Sequence, residues 1–365
     1  MSDIRIGISG WRYAPWRGEF YPAGLPQQSE LAFASRAFSS IEINGSFYAL
    51  QRPASYAHWF DETPDEFVFS VKAPRYITHI LRLRDVEIPI ANFFASGVFN
   101  LKQKLGPILW QFPPSLKFQA ELFEKFLSQL PHDTEQAQAL ARKRDAHMAG
   151  RTRLAIDARR PLRHAVEIRN ASFVNAEFTD MLRHYRVALV VADTAGKWPC
   201  CEDVTNDFLY LRLHGDEELY ASGYTQAAIE RWGDRIDAWS HGSQPEDAHL
   251  IEASKPSRQS RDVFCYFDND MKVKAPFDAA SLARYLRLPS PLLDASRPLL
   301  KTAQELGLKS TEPNETEFSE PEARGQRRRK TSSRSTRRAP TETKRAQNRS
   351  RARAPSDFPP APPAH

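Results

Sequence analysis

Eight short apolar runs, spaced through the first 290 residues and separated by stretches of helical period, constrain this chain more than any other feature. The runs are Ile4–Ser9, Ile41–Asn44, Phe67–Lys72, Ile108–Phe112, Ala165–Arg169, Val187–Asp193, Phe208–His214 and Val263–Asp268. Helical periodicity marks Glu121–Leu130, Phe178–Tyr185, Ala227–Trp239 and Ala279–Leu286. No hairpin signal joins one run to the next, so the pattern implies parallel strands with helical crossovers. Eight such units suit a closed (β/α)8 barrel of the TIM type better than an open doubly wound sheet. No GxGxxG follows the first run, which weighs against a dinucleotide-binding fold. A polar, Arg-rich insertion, Asp133–Pro161, separates the fourth and fifth strands and is expected to be helical in its first half. The expected organisation is a barrel domain over 1–290 and a tail over 291–365.

Strand parity sorts the side chains, because successive residues alternate between faces and the helix-facing set must be apolar. Outward Ile41 and Ile43 send Glu42 and Asn44 toward the barrel axis. By the same logic Ser70 and Lys72 point inward on the third strand, Glu167 and Arg169 on the fifth, and Tyr210, Arg212 and His214 on the seventh. Gly7 and Ser9 are inward on the first strand and Gln111 on the fourth. The sixth strand is expected to end its inward set at Asp193, while the eighth is apolar in both parities until Asp268, Asn269 and Asp270. The inward set thus turns polar at the strands' C-terminal ends, where barrel enzymes keep their chemistry. Charges buried there without partners would cost several kcal/mol each, so they must meet one another, water or a ligand. A network that merely plugs the barrel is the plain alternative, although Val, Ile and Leu would fill the space without electrostatic cost.

With these residues placed, the chain resembles the YecE-like family, domain of unknown function 72, from about Ile4 to Leu286. The motifs are GISGWRYAPWRGEFYP in the first loop, IEINGSFYALQRP after the second strand and FVFSVKAPRYITHILRL after the third. GPILWQFPPSLKF, AVEIRNASF, the Asp193 region, YLRLHG and YFDND follow in order. Where the family more often reads YFNND, this chain carries Asp268. The resemblance implies the same barrel and a pocket formed by these loops, and brings no reaction with it.

Glu42, Glu167, Asp193 and His214 are the residues expected to do chemistry: carboxylates and an imidazole that can move or orient a proton. Lys72, Arg169 and Arg212 are expected to hold an anionic substrate group, since guanidinium forks suit carboxylate and phosphate. Asn44, Gln111, His79 and Asn269 complete the polar lining. Trp11 and Tyr13 crowd the first loop, where aromatic rings either stack on a ligand or cap the core. The acids and His214 also form an oxygen- and imidazole-rich set of the kind that ligates a divalent cation. The three cations beside them supply that compensating charge instead, so no metal ligand is assigned; the residues leave open whether a divalent metal binds, and they identify no cofactor.

The chain's net charge of +6 averages two unlike parts. Residues 323–353 carry 13 Lys/Arg and one acid, a local +12 that leaves −6 for the rest. With few aliphatic side chains, the tail is expected to be disordered and to attract nucleic acid or another polyanion without sequence preference. The inward polar set with its three cations suits an enzyme acting on a small anionic ligand; a nucleic-acid-binding or -processing protein using the mouth and the tail is the rival reading, and the acidic remainder counts against it. No run of 18 apolar residues predicts a membrane span. Cys200, Cys201 and Cys265 offer no disulfide framework and the N-terminus lacks signal-peptide character, so a cytoplasmic location is expected.

Overall fold

The computed structural model describes residues 2–216, 219, 222–252, 259–269 and 273–289. The expected boundary near residue 290, the tail and Asp270 lie outside the described residues. Eight strands form a closed, all-parallel barrel in chain order, with β8 returning to β1. They are β1 (Ile4–Ser9), β2 (Ser40–Ile43), β3 (Val68–Lys72), β4 (Leu105–Gln111), β5 (His164–Glu167), β6 (Val187–Asp193), β7 (Phe208–Leu213) and β8 (Asp262–Phe267). Two match the expected runs, and six shift by one to three residues at an end. Nine α-helices are described: α1 (Glu30–Ala37), α2 (Gly45–Tyr48), α3 (Pro53–Glu62), α4 (Glu87–Ala95), α5 (Ala120–Leu127), α6 (Thr134–Ala141), α7 (Ala176–His184), α8 (Gln226–Ser240) and α9 (Ala275–Tyr285).

Local chemistry starts several of these helices. Asn175 accepts from the Phe178 amide at the head of α7, and Thr225 accepts from the Ala228 amide at the head of α8. Each satisfies an amide that has no partner within the helix. Pro53 and Pro276 occupy first-turn positions of α3 and α9, where a missing N–H is harmless. The insertion behaves as expected: α6 lies in its first half, and Asp133 pairs with Pro161 in an antiparallel bridge at its base.

Two apolar layers follow from parity. Ile6, Ile8, Ile41, Ile43, Phe69, Val71, Val166, Leu211 and Val263 face the helices and join one large core. Inside the barrel, Val68, Leu109, Ala165, Ala188, Val190, Ala192, Phe208, Tyr210, Phe264 and Tyr266 form a second cluster. That second cluster resolves β8, whose inward face is Phe264, Tyr266 and then Asp268. It also reverses the expectation for β6. Its small residues Ala188, Val190 and Ala192 fill the crowded interior, so Val187, Leu189, Val191 and Asp193 face the helices. Asp193 pairs in register with Leu213, an outward residue, and neighbours across a parallel ladder share a face.

Candidate functional site at the barrel mouth

Above the apolar plug, hydroxyls carry the interior toward polarity. The Ser40 and Tyr266 hydroxyls lie 2.7 Å apart, and the Ser70 and Tyr210 hydroxyls 2.6 Å apart. The Tyr210 hydroxyl also donates to Glu42 Oε2 at 2.5 Å. Serines of β2 and β3 thus meet tyrosines of β8 and β7, which spares the tyrosine hydroxyls an unpaired burial.

The next layer is organised by Arg212. Its Nε and Nη2 donate to Glu42 at 3.1 and 2.9 Å, and Nη1 donates to Glu167 at 2.9 Å. Nη2 also reaches Asp268 at 2.7 Å and the Ser9 hydroxyl at 3.1 Å, while Nη1 lies 3.3 Å from His214 Nε2. Burial opposes this charge, but Glu42, Asp268 and Glu167 outweigh it and hold the guanidinium pKa well above its ordinary value. Burial likewise opposes the Glu167 carboxylate, yet Arg169 and Arg212 pull its pKa well below the usual range. Gln111 adds a donor to Glu167 at 2.8 Å, and Ser9 donates to Glu42 at 2.5 Å. Asn44 donates to the Ser9 hydroxyl at 2.9 Å.

His214 is fully buried here, with Nδ1 3.1 Å from Asp268 Oδ2. Burial and then Arg212 lower its pKa, so it sits neutral. The arrangement fits the tautomer with the proton on Nδ1 facing Asp268 and with Nε2 facing the guanidinium. Nδ1 faces Asp268 and Nε2 faces Arg212, so both ring nitrogens of His214 point at charged members of the network. Arg212, expected to bind an anion, has every donor engaged by this protein.

A second group surrounds the first. Lys72 ends β3 and is 8% exposed, with its ammonium 4.3 Å from the centre of the Phe47 ring. Among the described residues no carboxylate lies within ion-pair distance of it. Burial and then the nearby Arg212 bring its pKa down to about 8 against the pull of Glu42, Asp268 and Glu167. His79 belongs to a π-helical turn, Tyr76–Ile80, with its ring edge-on to Phe47 at 5.0 Å and Nδ1 2.8 Å from the Thr78 hydroxyl. Burial, Lys72 and Arg169 lower its pKa to about 4. Arg169 donates from Nε to Glu167 at 2.8 Å and stacks its guanidinium 3.9 Å from the centre of the Trp198 ring. Tyr13 is half-buried and donates its hydroxyl to the Ser9 carbonyl at 2.6 Å.

Three expected members lie elsewhere. Asp193 accepts from Trp232 Nε1 and the Tyr224 hydroxyl, each at 3.1 Å, and so ties β6 to α8 behind the strand. Burial raises its pKa against those two donors. Asn269, one residue past the inward Asp268, turns outward and donates to Asp278 of α9 at 2.8 Å. Trp11 packs edge-on to Trp59 at 5.4 Å and belongs to the core. The acid missing from the expected set was Asp268. Its signal was a tyrosine two residues before it, as Tyr210 precedes Arg212. Among the described residues no group of three or more His, Cys, Asp or Glu is arranged to hold a metal ion.

A parallel eight-stranded barrel with an arginine-centred acid network closing its C-terminal mouth is the class of protein that fold and site define. The chain belongs to the family described as "Protein of unknown function DUF72", which matches residues 5–303. That match ends well beyond Leu286. The UPF0759 protein YunF of Bacillus subtilis is 34% identical over 119 residues, and UPF0759 protein YecE of Escherichia coli K12 29% identical over 110. These stretches cover 30% of this chain and 40% and 38% of the two relatives. A solved DUF72 family protein from Thermotoga maritima superposes with a TM-score of 0.60 at 23% identity, over 78% of this chain and 99% of its own. One from Enterococcus faecalis gives 0.56 at 17%, over 78% and 96%. At such identity, the likeness concerns the fold.

Proposed function

We propose that this protein is an enzyme acting at the barrel mouth on a small polar substrate that carries an anionic group. One observation carries the reading: Lys72, a buried ammonium with no carboxylate partner among the described residues, sits beside an acid network that Arg212 already satisfies. A plug needs no uncompensated amine, and evolution could replace it with an apolar residue at no cost. In this reading Lys72 and Arg169 hold the anion, and Lys72 and His79 move the proton of a lyase, isomerase or hydrolase reaction. Glu42, Glu167, Asp268 and His214 fix the frame. Differential scanning fluorimetry with small carboxylates and phosphate monoesters tests it. A ligand should stabilise the wild type and lose its effect in Arg169→Met and Lys72→Met; equal stabilisation of all three places the site elsewhere.

A nucleic-acid-processing role is favoured by two exposed aromatics, Tyr48 at 69% at the end of α2 and Tyr76 at 53% in the π-helical turn after β3. Exposed rings there can stack on bases, with the 323–353 stretch adding charge. Salt-dependent binding that survives removal of residues 312–365 but not Tyr48→Ala/Tyr76→Ala supports that reading. We also infer a cytoplasmic location, which the three free cysteines support. Among the described residues no helix is long and apolar enough to cross a membrane.

A further inference from the structure

We propose that Lys72 is a carbonyl-reactive amine, forming an imine with a small aldehyde or ketone that bears a carboxylate or phosphate. The inference rests on the mouth-binding reading above and specifies its chemistry.

Three structural features carry it. Lys72 is more than nine-tenths buried at the C-terminal end of a barrel strand, with 8% of its surface still exposed. Its immediate wall is aromatic, the Phe47 ring, and Arg212 lowers its pKa further, while Glu42, Asp268 and Glu167 pull the other way without coming within ion-pair distance. An amine desolvated in an apolar pocket or set beside a second cation is one of the ways proteins obtain a nucleophilic lysine. Finally, the acids that would lock it as an ammonium are held by Arg212 and Arg169 instead. With a pKa down to about 8, roughly a quarter of the amine is unprotonated at pH 7.5, against about one part in a thousand for an ordinary lysine.

The step balances within the mouth. The unprotonated Nζ attacks the carbonyl carbon, a C–N bond forms, and the carbonyl oxygen takes one proton to give a carbinolamine. The nitrogen lone pair then expels that oxygen as water with a second proton, leaving a protonated imine. Lys72 supplies one proton from its own nitrogen. The other comes from solvent through His79, which shares the Phe47 wall and stands neutral. Arg169 takes the substrate's anion.

Two probes on the full-length protein test this. Formaldehyde with cyanoborohydride, read residue by residue by peptide mass spectrometry, reports amine reactivity independently of any preferred substrate. At pH 7, Lys72 should be methylated at least about ten times faster than the exposed lysines Lys102 and Lys117, as its lowered pKa requires. The rate should reach half its maximum near pH 8, under the combined fields of Glu42, Glu167, Asp268, Arg212, Arg169 and His79. Pyruvate followed by borohydride should then leave a carboxyethyl adduct on Lys72 that Arg169→Met reduces several-fold. Methylation of Lys72 no faster than of those exposed lysines overturns the proposal. Lactate, which has the anion but no carbonyl, separates the two levels. Arg169-dependent stabilisation by lactate alongside an unreactive Lys72 retires the imine and keeps the anion site. A reactive Lys72 that pyruvate does not label selectively removes the carboxylate-bearing class.

Discussion

The two sides of the barrel mouth carry similar charges to opposite ends. On the β7 side Arg212 meets three carboxylates, a serine and a histidine, and no donor is left over. On the β3 side Lys72 meets an aromatic face and, among the described residues, no carboxylate within ion-pair distance. A saturated ion cluster is a fixed part, since removing one member strands the others in a dry site. An unsaturated amine weakens the fold and is retained for another reason. The contrast separates scaffold from chemistry where residue types alone do not.

The sharpest way to break that comparison is Arg212→Met. Glu42, Glu167 and Asp268 would then share a buried site without their cation, and the loss should be about 3–5 kcal/mol or outright failure to fold. Urea unfolding measures it, and a variant within 1 kcal/mol of wild type would show that water can replace the guanidinium. The same cluster predicts acid lability. Glu167 and Asp268 have folded pKa values depressed below their unfolded ones, so their contribution is complete above about pH 4 and is lost as pH falls through the folded values.

Lys72→Met should act in the opposite direction. A lysine lowered from 10.5 to about 8 binds fewer protons folded than unfolded between those values, so wild-type stability should rise with pH across that window. Below pH 8 the buried ammonium costs the fold on the order of 3 kcal/mol, before any loss of the Phe47 contact. The methionine variant should therefore be more stable at pH 7 and lack the rise. Melting curves from pH 6.5 to 10.5 decide it; a less stable variant at pH 7 would make Lys72 part of the scaffold.

A smaller effect is expected for Asp193→Asn. The amide oxygen can still accept from Trp232 and Tyr224, so the cost should be about 1 kcal/mol or less, and small-anion binding at the mouth should not change. Altered ligand affinity in this variant would return Asp193 to the site. The smallest effect belongs to removal of residues 312–365, which should shift the melting temperature by no more than about 2 °C while removing most salt-sensitive polyanion affinity. A much larger drop in melting temperature would mean that this segment packs on the barrel.

Much of the barrel was legible in the chain because alternation is a strong signal wherever one face is uniformly aliphatic. Strands β2, β5 and β7 interleave Ile, Val or Leu with charge, and their inward residues lie where alternation places them. Strands β6 and β8 have no polar face to betray orientation, and there the reading of Asp193 failed and that of Asp268 stayed open. Side-chain volume carried the missing information: alanines mark the crowded interior of β6. What alternation cannot give is partnership. That Arg212 would be consumed by acids on or just past three other strands, with no carboxylate among the described residues left to pair with Lys72, depends on distances across the barrel and not on spacing along the chain.

Those distances bear on how the barrel is made. Arg212 on β7 draws on Ser9 of β1, Glu42 of β2, Glu167 of β5 and Asp268 just past β8, so its partners span the barrel from its first strand to its last. A fragment ending after β4 would contain Glu42 without its guanidinium, and the complementary fragment would contain Arg212 with only two of its acids. Neither half is electrically complete. The mouth therefore penalises partial barrels and favours closure in a single event, after the last strand has left the ribosome.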